Sequence, residues 1–237
     1  MSCHIAKAAG SSFRRMLEKA HGDQCVLLEG PPQLGRETWP LFKHRYWFAR
    51  SFDSHDLRYV DLTDAWPGLR FSVILRDPIE RFLSLYFFLR SIAASTLWVS
   101  DEVEAERWLD RNFPSVDAVL KHAANGQTAF LGCAEASRPI TAVDLDAALE
   151  NLKGYDYIGF TECSDALPGL IAGEFPEFRG AVLPVDNVTP RRNSARLWRE
   201  RIDPKVAARV RYAHGLDLRL YEAAVTLNIS RGHPVPG

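Results

Sequence analysis

The stretch RFSVILRDPIERFLSLYFFLR, residues 70–90, most constrains how this chain can fold. Its apolar beginning predicts a strand over 70–76 that is buried on both faces, as in a parallel sheet. Asp77 and Pro78 come next, an order typical of a helix N-terminus, because Asp caps the first turn and Pro fits into it. A helix over 79–93 is therefore predicted. A strand that leads directly into a helix favours an α/β fold.

The rest of the chain repeats this alternation of strands and helices. Helical periodicity is present at 12–20, 102–113, 115–125, 144–153 and 204–224, and strand patterns at 58–62 and 155–160. Residues 179–194 read as a strand or a loop, and 29–40, with their Pro and Gly, as a loop. We expect a three-layer α/β fold, a mainly parallel sheet flanked by helices, in one domain over 1–237.

Charge and cysteine content exclude several classes of function. There are 29 Lys and Arg against 30 Asp and Glu, so no overall field favours nucleic acid or a membrane surface, and an anion site must be local. The four cysteines form no C-x-x-C pair, so we expect no zinc site and a reducing compartment. Without a signal-peptide pattern or an apolar run of about 20 residues, a cytoplasmic protein with no transmembrane segment is expected. Oligomeric state is left open.

The stretch CHIAKAAGSSFRRML, residues 3–17, predicts a strand, a turn and a helix. The turn consists of Lys7, Ala8, Ala9, Gly10, Ser11 and Ser12. Unpaired N–H groups at a helix N-terminus attract oxyanions, small residues allow close approach, and the lysine and the hydroxyls add donors. In a nucleoside-triphosphate loop the lysine follows the glycines, whereas here it comes first. The alternative is an ordinary helix cap with solvated polar side chains.

A second candidate anion site lies in the 70–90 stretch. Arg76 ends the predicted strand, and Ser84 lies about two turns into the predicted helix. Ligands bind at the carboxyl ends of parallel strands, where a guanidinium can hold a phosphate and a serine can donate one more bond. In the alternative, Arg76 pairs with Asp77 or Glu80 and Ser84 only packs.

Together the two stretches resemble one known family. HIAKAAGSSF is similar to the H-I-P-K-T-[AG]-[GS]-[ST]-S loop of carbohydrate sulfotransferases, and LRDPIERFLSLYFFLR to their R-D-P-x-x-R-x-x-S-x-Y segment. The family includes heparan sulfate 2-O-sulfotransferases and many bacterial relatives. Weaker likeness follows, in the family's order, at 125–133, 148–162, 183–194 and 216–224. Two departures are Ala6, where the family has proline, and the short stretch before Lys7.

The resemblance implies a P-loop-like sulfotransferase fold and the donor 3′-phosphoadenosine 5′-phosphosulfate. Its phosphosulfate would lie on the turn from Lys7 to Ser12, and its 3′-phosphate on Arg76 and Ser84. The implied reaction is in-line transfer of the sulfuryl group to a hydroxyl, with Lys7 stabilising the charge that develops and no metal required.

The resemblance also implies a histidine base between the two motifs, and histidine titrates near neutral pH. The segment LFKHRYWF, residues 41–48, matches best and gives His44, although Lys43 replaces the usual glycine. His55 is the second choice, and His4 is interpreted as structural. The remaining histidines occur in contexts typical of exposed helix or tail; they are His21, His122, His214 and His233.

The acceptor is expected to be a carbohydrate, either a glycan or a glycolipid. Basic residues outside the donor motifs are candidates for binding it, with aromatic residues beside them: Arg45, Arg50, Arg191 and Arg192, with Tyr46, Trp47 and Phe48. Guanidinium groups bind carboxylate or sulfate. Alternatively, these residues form a charged surface and a core, or Arg191 or Arg192 contacts the donor. A lipid or a small alcohol also remains open as acceptor.

Two other functions remain as alternatives. A nucleotide-dependent kinase would use a similar anion loop, but it needs a Mg²⁺-binding hydroxyl directly after the loop lysine, which this order lacks. A non-catalytic module that binds a nucleotide or a glycan is the second alternative. Whether His44 and Lys7 converge on one pocket would discriminate that module from an enzyme.

Overall fold

The computed structural model describes residues 2–3, 5, 8–22, 25–29, 46–50, 70–91, 115–132, 138–184 and 204–237. The strands are β1 (Ser2–Cys3), β2 (Cys25–Glu29), β3 (Tyr46–Arg50), β4 (Ser72–Leu75) and β5 (Tyr157–Phe160). The helices are α1 (Gly10–His21), α2 (Pro78–Ser91), α3 (Val116–Ala123), α4 (Gly126–Leu131), α5 (Ala142–Lys153), α6 (Ala166–Ile171), α7 (Pro204–Ala213) and α8 (Gly215–Ser230). Short 3₁₀ turns occupy Thr161–Cys163 and Pro176–Phe178.

The five strands form one sheet in the order β2-β3-β1-β4-β5. Every ladder is parallel, and Cys3 of β1 pairs with Ala49 of β3 on one side and with Val73 of β4 on the other. The predicted α/β fold with parallel strands is therefore confirmed. From β1 the chain goes to the edge strand β2, returns to β3 beside β1, and then crosses to β4 on the other side of β1. The strand order thus reverses between β1 and β4.

Both faces of β4 are covered by helices. Val73 and Leu75 belong to a core cluster with residues of α5 and α8, whereas Ile74 belongs to a second cluster with residues of α1 and α6. This division follows from the strand itself, in which neighbouring side chains point to opposite faces. All four residues of β4 are buried, which accounts for its continuous apolar sequence.

The predicted start of α2 is confirmed. Asp77 Oδ1 accepts hydrogen bonds from the N–H groups of Ile79, at 3.0 Å, and Glu80, at 2.9 Å, with Pro78 as the first helical residue. Each accepted bond pairs an N–H group that a helix cannot satisfy by itself. The direction in which the chain leaves Arg76 is therefore set by its neighbour in the sequence.

Most other predicted elements that fall within the described ranges are found, with shifted ends. The helix predicted over 12–20 corresponds to α1, and the helix predicted over 144–153 corresponds to α5. The helical pattern of 204–224 divides into α7 and α8 at His214. The described part of 179–194 is neither strand nor helix. The predicted strand 58–62, the predicted helix 102–113 and nearly all of the predicted loop 29–40 lie outside the described residues.

His214 corrects one prediction. Its sequence context indicated an exposed helical residue, but the side chain is completely buried at the junction of α7 and α8. The ring lies 5.4 Å from the ring of Phe82, and Nδ1 lies 3.6 Å from Asp217 Oδ2. The first turn of α8 folds inward against α2 here, which the helical periodicity of the sequence does not reveal.

The N-terminus of α5 is fixed by Asp144, which is almost fully buried. Asp144 Oδ2 accepts hydrogen bonds from the Thr141 N–H at 2.7 Å and from Arg138 Nη1 at 2.8 Å. Hydrogen bonds from Arg138 hold the pKa of the Asp144 carboxyl well below its usual range, and those from Thr141 lower it further, against the opposing effect of burial. Folding therefore favours the ionised form of this carboxyl.

We expect Asp144→Asn to lower the free energy of unfolding at pH 7 by about 1–2 kcal/mol, the scale of a lost cap with its charged hydrogen bond. The wild-type advantage should be full above the unfolded-chain pKa of about 4 and should shrink as the pH falls below it, since the folded-state pKa is the lower one. Urea unfolding of both proteins between pH 7 and pH 3 measures this difference. Asp146→Asn, at an exposed position of the same helix, is the control. A difference that does not vary with pH would contradict the prediction.

Candidate functional site

The strand order reverses between β1 and β4, and in open parallel sheets a crevice is expected at the carboxyl edge at such a point. The chain leaves β1 toward α1 and leaves β4 toward α2, and the two strands are direct neighbours. In open parallel sheets, ligands bind at this kind of position. The two stretches that the sequence analysis assigned to anions follow these two strands.

The turn before α1 has an unusual backbone. Ala9 has φ +56° and ψ 15°, the left-handed conformation that residues with a Cβ rarely adopt. Such a residue costs about 1–2 kcal/mol, and strained residues of this kind concentrate at ligand-binding sites. Ala8 before it is buried, and its N–H donates to the C=O of Ile5 at 3.2 Å. The turn is thus held in its strained form by packing.

Helix α1 begins at Gly10, so Ser11 and Ser12 lie in its first turn. Ala9, at the N-cap position, has no side-chain group that could accept from the N–H groups of this turn, and the turn contains no acidic residue. Phe13, the next residue, is buried and belongs to the core cluster shared with α6 and β4. The helix N-terminus is therefore firmly placed and carries the partial positive charge that favours anions.

Arg76 follows β4 directly, and its backbone is held by one side chain. Gln127 Oε1 accepts from the Arg76 N–H at 3.0 Å, and Gln127 Nε2 donates to the Arg76 C=O at 2.9 Å. The next residue, Asp77, donates its N–H to Glu162 Oε1 at 2.9 Å. Both peptide groups that determine where the Arg76 side chain starts are thus fixed by side chains distant in sequence.

Gln127 is itself placed by a reciprocal cap between α4 and α8. Asp217 Oδ1 accepts from the Thr128 N–H at 2.7 Å and from Thr128 Oγ1 at 2.8 Å, and Asp217 Oδ2 accepts from the Gln127 N–H at 3.2 Å. In return, Asn125 Oδ1 accepts from the N–H groups of Leu216, at 3.1 Å, and Asp217, at 3.2 Å. Each helix supplies the side chain that caps the other.

This junction encloses buried charge. Burial alone would raise the pKa of Asp217, but His214, the buried guanidinium of Arg81 and the Thr128 N–H outweigh that effect, so the pKa of Asp217 is lowered. The Arg81 guanidinium packs against Gly126, where an added Cβ would lie 2.8 Å from Nη2. Only glycine fits at that point without displacing the guanidinium.

A cleft of about 930 Å³ opens beside Arg76. Its walls come from the start of α2, the turn after β5 and the two C-terminal helices; they include Arg76, Asp77, Glu80, Glu162, Arg211 and Tyr221. The Tyr221 hydroxyl donates to Glu162 Oε2 at 3.0 Å, and burial together with that carboxylate raises the pKa of Tyr221. The cleft therefore offers cationic, anionic and neutral polar groups to a ligand.

The structure brings some of the predicted site residues to one edge and leaves others outside the described ranges. The backbone of 8–12 and Arg76 follow neighbouring strands, and half-buried Ser84 lies farther along α2. Arg50 is the last residue of β3, so its backbone reaches the same carboxyl edge. Residues outside the described part of the chain are Lys7, His44, Arg45, Arg191 and Arg192, as well as the other candidate bases His4 and His55.

The aromatic residues expected beside an acceptor groove, 46–48, are strand residues of β3. Their backbone pairs with β2 on one side, and β3 pairs with β1 on the other.

Sequence reasoning assigned no role to Gln127, Thr128 or Asp217. The segments that contain them, 125–133 and 216–224, show only a weak family likeness in their sequence. A recognisable signal was present in Asn125-Gly126, since asparagine and glycine are typical of helix starts. The partner of each residue, however, lies 51 to 90 positions away, so only the folded chain reveals the pairing.

Neither family models nor curated proteins matched this chain. Within the described ranges, no group of three or more His, Cys, Asp or Glu residues could hold a metal ion. None of the helices described is both long and apolar enough to cross a membrane.

Proposed function

We propose that this chain is a carbohydrate O-sulfotransferase that uses 3′-phosphoadenosine 5′-phosphosulfate as donor. The observation that carries the proposal is the position of the two motif stretches, which follow neighbouring strands at the point where the strand order reverses. One ligand with two anionic ends can therefore reach both. The order β2-β3-β1-β4-β5, with helices on both faces of β4, supports a three-layer, P-loop-like arrangement.

The donor lies across the crevice in this proposal. Its phosphosulfate contacts the turn from Lys7 to Ser12 at the N-terminus of α1, where Ala9 adopts the left-handed conformation. Its 3′-phosphate contacts the Arg76 guanidinium and the Ser84 hydroxyl. A guanidinium at a fixed strand end suits this role, because it can hold two phosphate oxygens at once.

The proposed reaction is in-line transfer of the sulfuryl group. A histidine accepts the proton of the acceptor hydroxyl, whose oxygen bonds to sulfur as the bond from sulfur to the bridging phosphate oxygen breaks. The leaving group is adenosine 3′,5′-bisphosphate. Lys7 and the amides of the turn stabilise negative charge on the bridging and sulfuryl oxygens.

Two histidines compete for the role of base. His44 matches the family segment, but in chain order it precedes β3, which begins at Tyr46. His55 follows β3, whose last residue is Arg50. The anion turn and Arg76 both follow the carboxyl ends of their strands, and His55 likewise comes after a strand. The order of residues along the chain therefore favours His55 as the base, whereas the family motif favours His44.

A carbohydrate is the proposed acceptor, and the cleft beside Arg76 adds support, since its mixed polar walls suit a ligand rich in hydroxyls. Arg50, at the carboxyl end of β3, lies on the edge where an acceptor would approach. Arg45, Arg191 and Arg192 keep their proposed role in binding an acidic acceptor. An array of glycans, glycolipids and small alcohols with labelled sulfate donor would identify the acceptor.

Adenosine 3′,5′-bisphosphate should bind the chain and raise its Tm, because it binds only the native state. At a hundred times Kd the stabilisation is about 2.7 kcal/mol, or roughly 5–10 °C for a chain of this size. Thermal unfolding with and without the nucleotide measures the shift. Adenosine triphosphate with Mg²⁺ is the comparison ligand. Tight binding of the triphosphate and none of the bisphosphate would instead indicate a kinase.

Arg76→Ala should weaken bisphosphate binding by about 1.5–3 kcal/mol, the range for a hydrogen bond to a charged group. Acceptor affinity should change little. Titration calorimetry measures the first effect and KM for the acceptor measures the second. Arg209→Ala is a matched control, since Arg209 forms an exposed ion pair with Asp117 at 3.0 Å. Wild-type donor affinity in folded Arg76→Ala would remove Arg76 from the site.

Alanine substitution of the true base should lower single-turnover rate by about 10²-fold or more while leaving bisphosphate affinity and Tm unchanged. His44→Ala and His55→Ala are compared in parallel, so that each protein is the control for the other. The pH dependence of the rate should lose its acidic limb in only one of them. A histidine that merely packs gives a lower Tm and a normal rate per folded molecule. If both variants turn over normally, neither residue is the base.

A further inference from the structure

We propose that Gln127 is a positioning residue that sets the affinity of the site for the 3′-phosphate by holding Arg76. This inference rests on the proposed function. Gln127 is completely buried, so its side chain does not reach a ligand in solvent. It acts through the two hydrogen bonds that its amide makes with the Arg76 backbone, at 3.0 Å and 2.9 Å.

The position of Arg76 makes such support necessary. The ladder between β4 and β5 ends with the pair Leu75 and Phe160, so Arg76 is the first residue beyond it. A peptide group that leaves a sheet needs new partners for its N–H and C=O. The Gln127 amide offers one acceptor and one donor side by side, as a neighbouring strand would. It therefore continues the hydrogen-bonding pattern of the sheet by one residue, to Arg76, which carries the guanidinium.

The Gln127 amide is in turn held firmly from behind. Its own N–H donates to the buried carboxylate of Asp217, and the next residue, Thr128, donates to that carboxylate twice. Asn125 returns the cap to the first turn of α8. Little freedom is left for α4 to shift along α8. The hydrogen bonds at the junction of α4 and α8 thus determine, through Gln127, where the Arg76 side chain is placed.

Preorganisation of this kind affects binding as well as stability. An arginine whose backbone is already fixed loses less conformational freedom when it binds a phosphate than one whose backbone must first be ordered. Loss of the Gln127 amide should therefore reduce affinity for ligands that contact the Arg76 guanidinium. Ligands that contact only the turn before α1 should be unaffected.

The test compares two nucleotides that differ only in the 3′-phosphate: adenosine 3′,5′-bisphosphate and adenosine 5′-phosphate. Gln127→Met keeps the length of the side chain but has no amide. We expect it to weaken bisphosphate binding by about three- to tenfold, the range that corresponds to one ordinary hydrogen bond, and to leave adenosine 5′-phosphate binding unchanged. Titration calorimetry measures both affinities. Gln127→Asn, which keeps a polar group but is shorter, serves the same purpose if the methionine variant does not fold.

Two controls separate positioning from general damage. Asn151→Leu removes another side-chain amide that supports α4, since Asn151 Nδ2 donates to the Leu131 C=O at 2.7 Å, at the end of α4 away from Arg76. It should lower Tm without changing either affinity. In an Arg76→Ala background, Gln127→Met should cause no further loss of bisphosphate affinity, because the group it positions is gone.

The outcomes distinguish this inference from the proposed function. Wild-type protein that fails to bind the bisphosphate would overturn the proposed function, and the inference with it. If Arg76→Ala weakens binding but the folded Gln127 variants bind as the wild type does, the inference alone is wrong. Equal losses for both nucleotides, or losses that add fully to that of Arg76→Ala, would also overturn it. A loss confined to the bisphosphate and absent without Arg76 supports it.

Discussion

The buried carboxylate of Asp217 is the interaction on which the candidate site depends. It pairs the first N–H groups of α4 while α8, the helix that carries it, receives its own cap from Asn125. A carboxylate in this setting is costly to bury unless its oxygens are hydrogen-bonded, and here they accept from backbone and hydroxyl donors and their charge is balanced by Arg81. Without it, Gln127 would have no fixed position from which to hold the end of β4.

Sheet and helices contribute differently to the site. The parallel sheet brings the chain to one edge after every strand, and because β1 and β4 are direct neighbours, it places side by side two short stretches that are distant in sequence. The helices then decide how firmly each stretch is held. Core contacts of Phe13 hold α1, whereas hydrogen bonds to Gln127 and Glu162 hold the residues after β4. The stretch after β1 is thus held by packing, and the stretch after β4 is held by polar contacts.

The sequence predicted what depends on near neighbours. The buried strand 72–75 and the Asp77 cap were found, because apolar periodicity and capping act over a few residues. The bonds between Gln127 and Arg76 were not predictable, since no local pattern specifies a partner 51 positions away. His214 was predicted to be exposed because polarity was its only visible property, whereas the packing of α8 against α2 decides its burial.

Strand β1 has only two residues, yet it lies at the centre of the sheet. Ser2 must find both Phe48 and Ser72 before the halves of the sheet are joined. Pairings between residues so far apart in sequence form slowly, because a long loop has to close first. The crevice lies along this seam. We therefore expect the two candidate anion-binding stretches, after β1 and after β4, to come together as one site only when this seam closes.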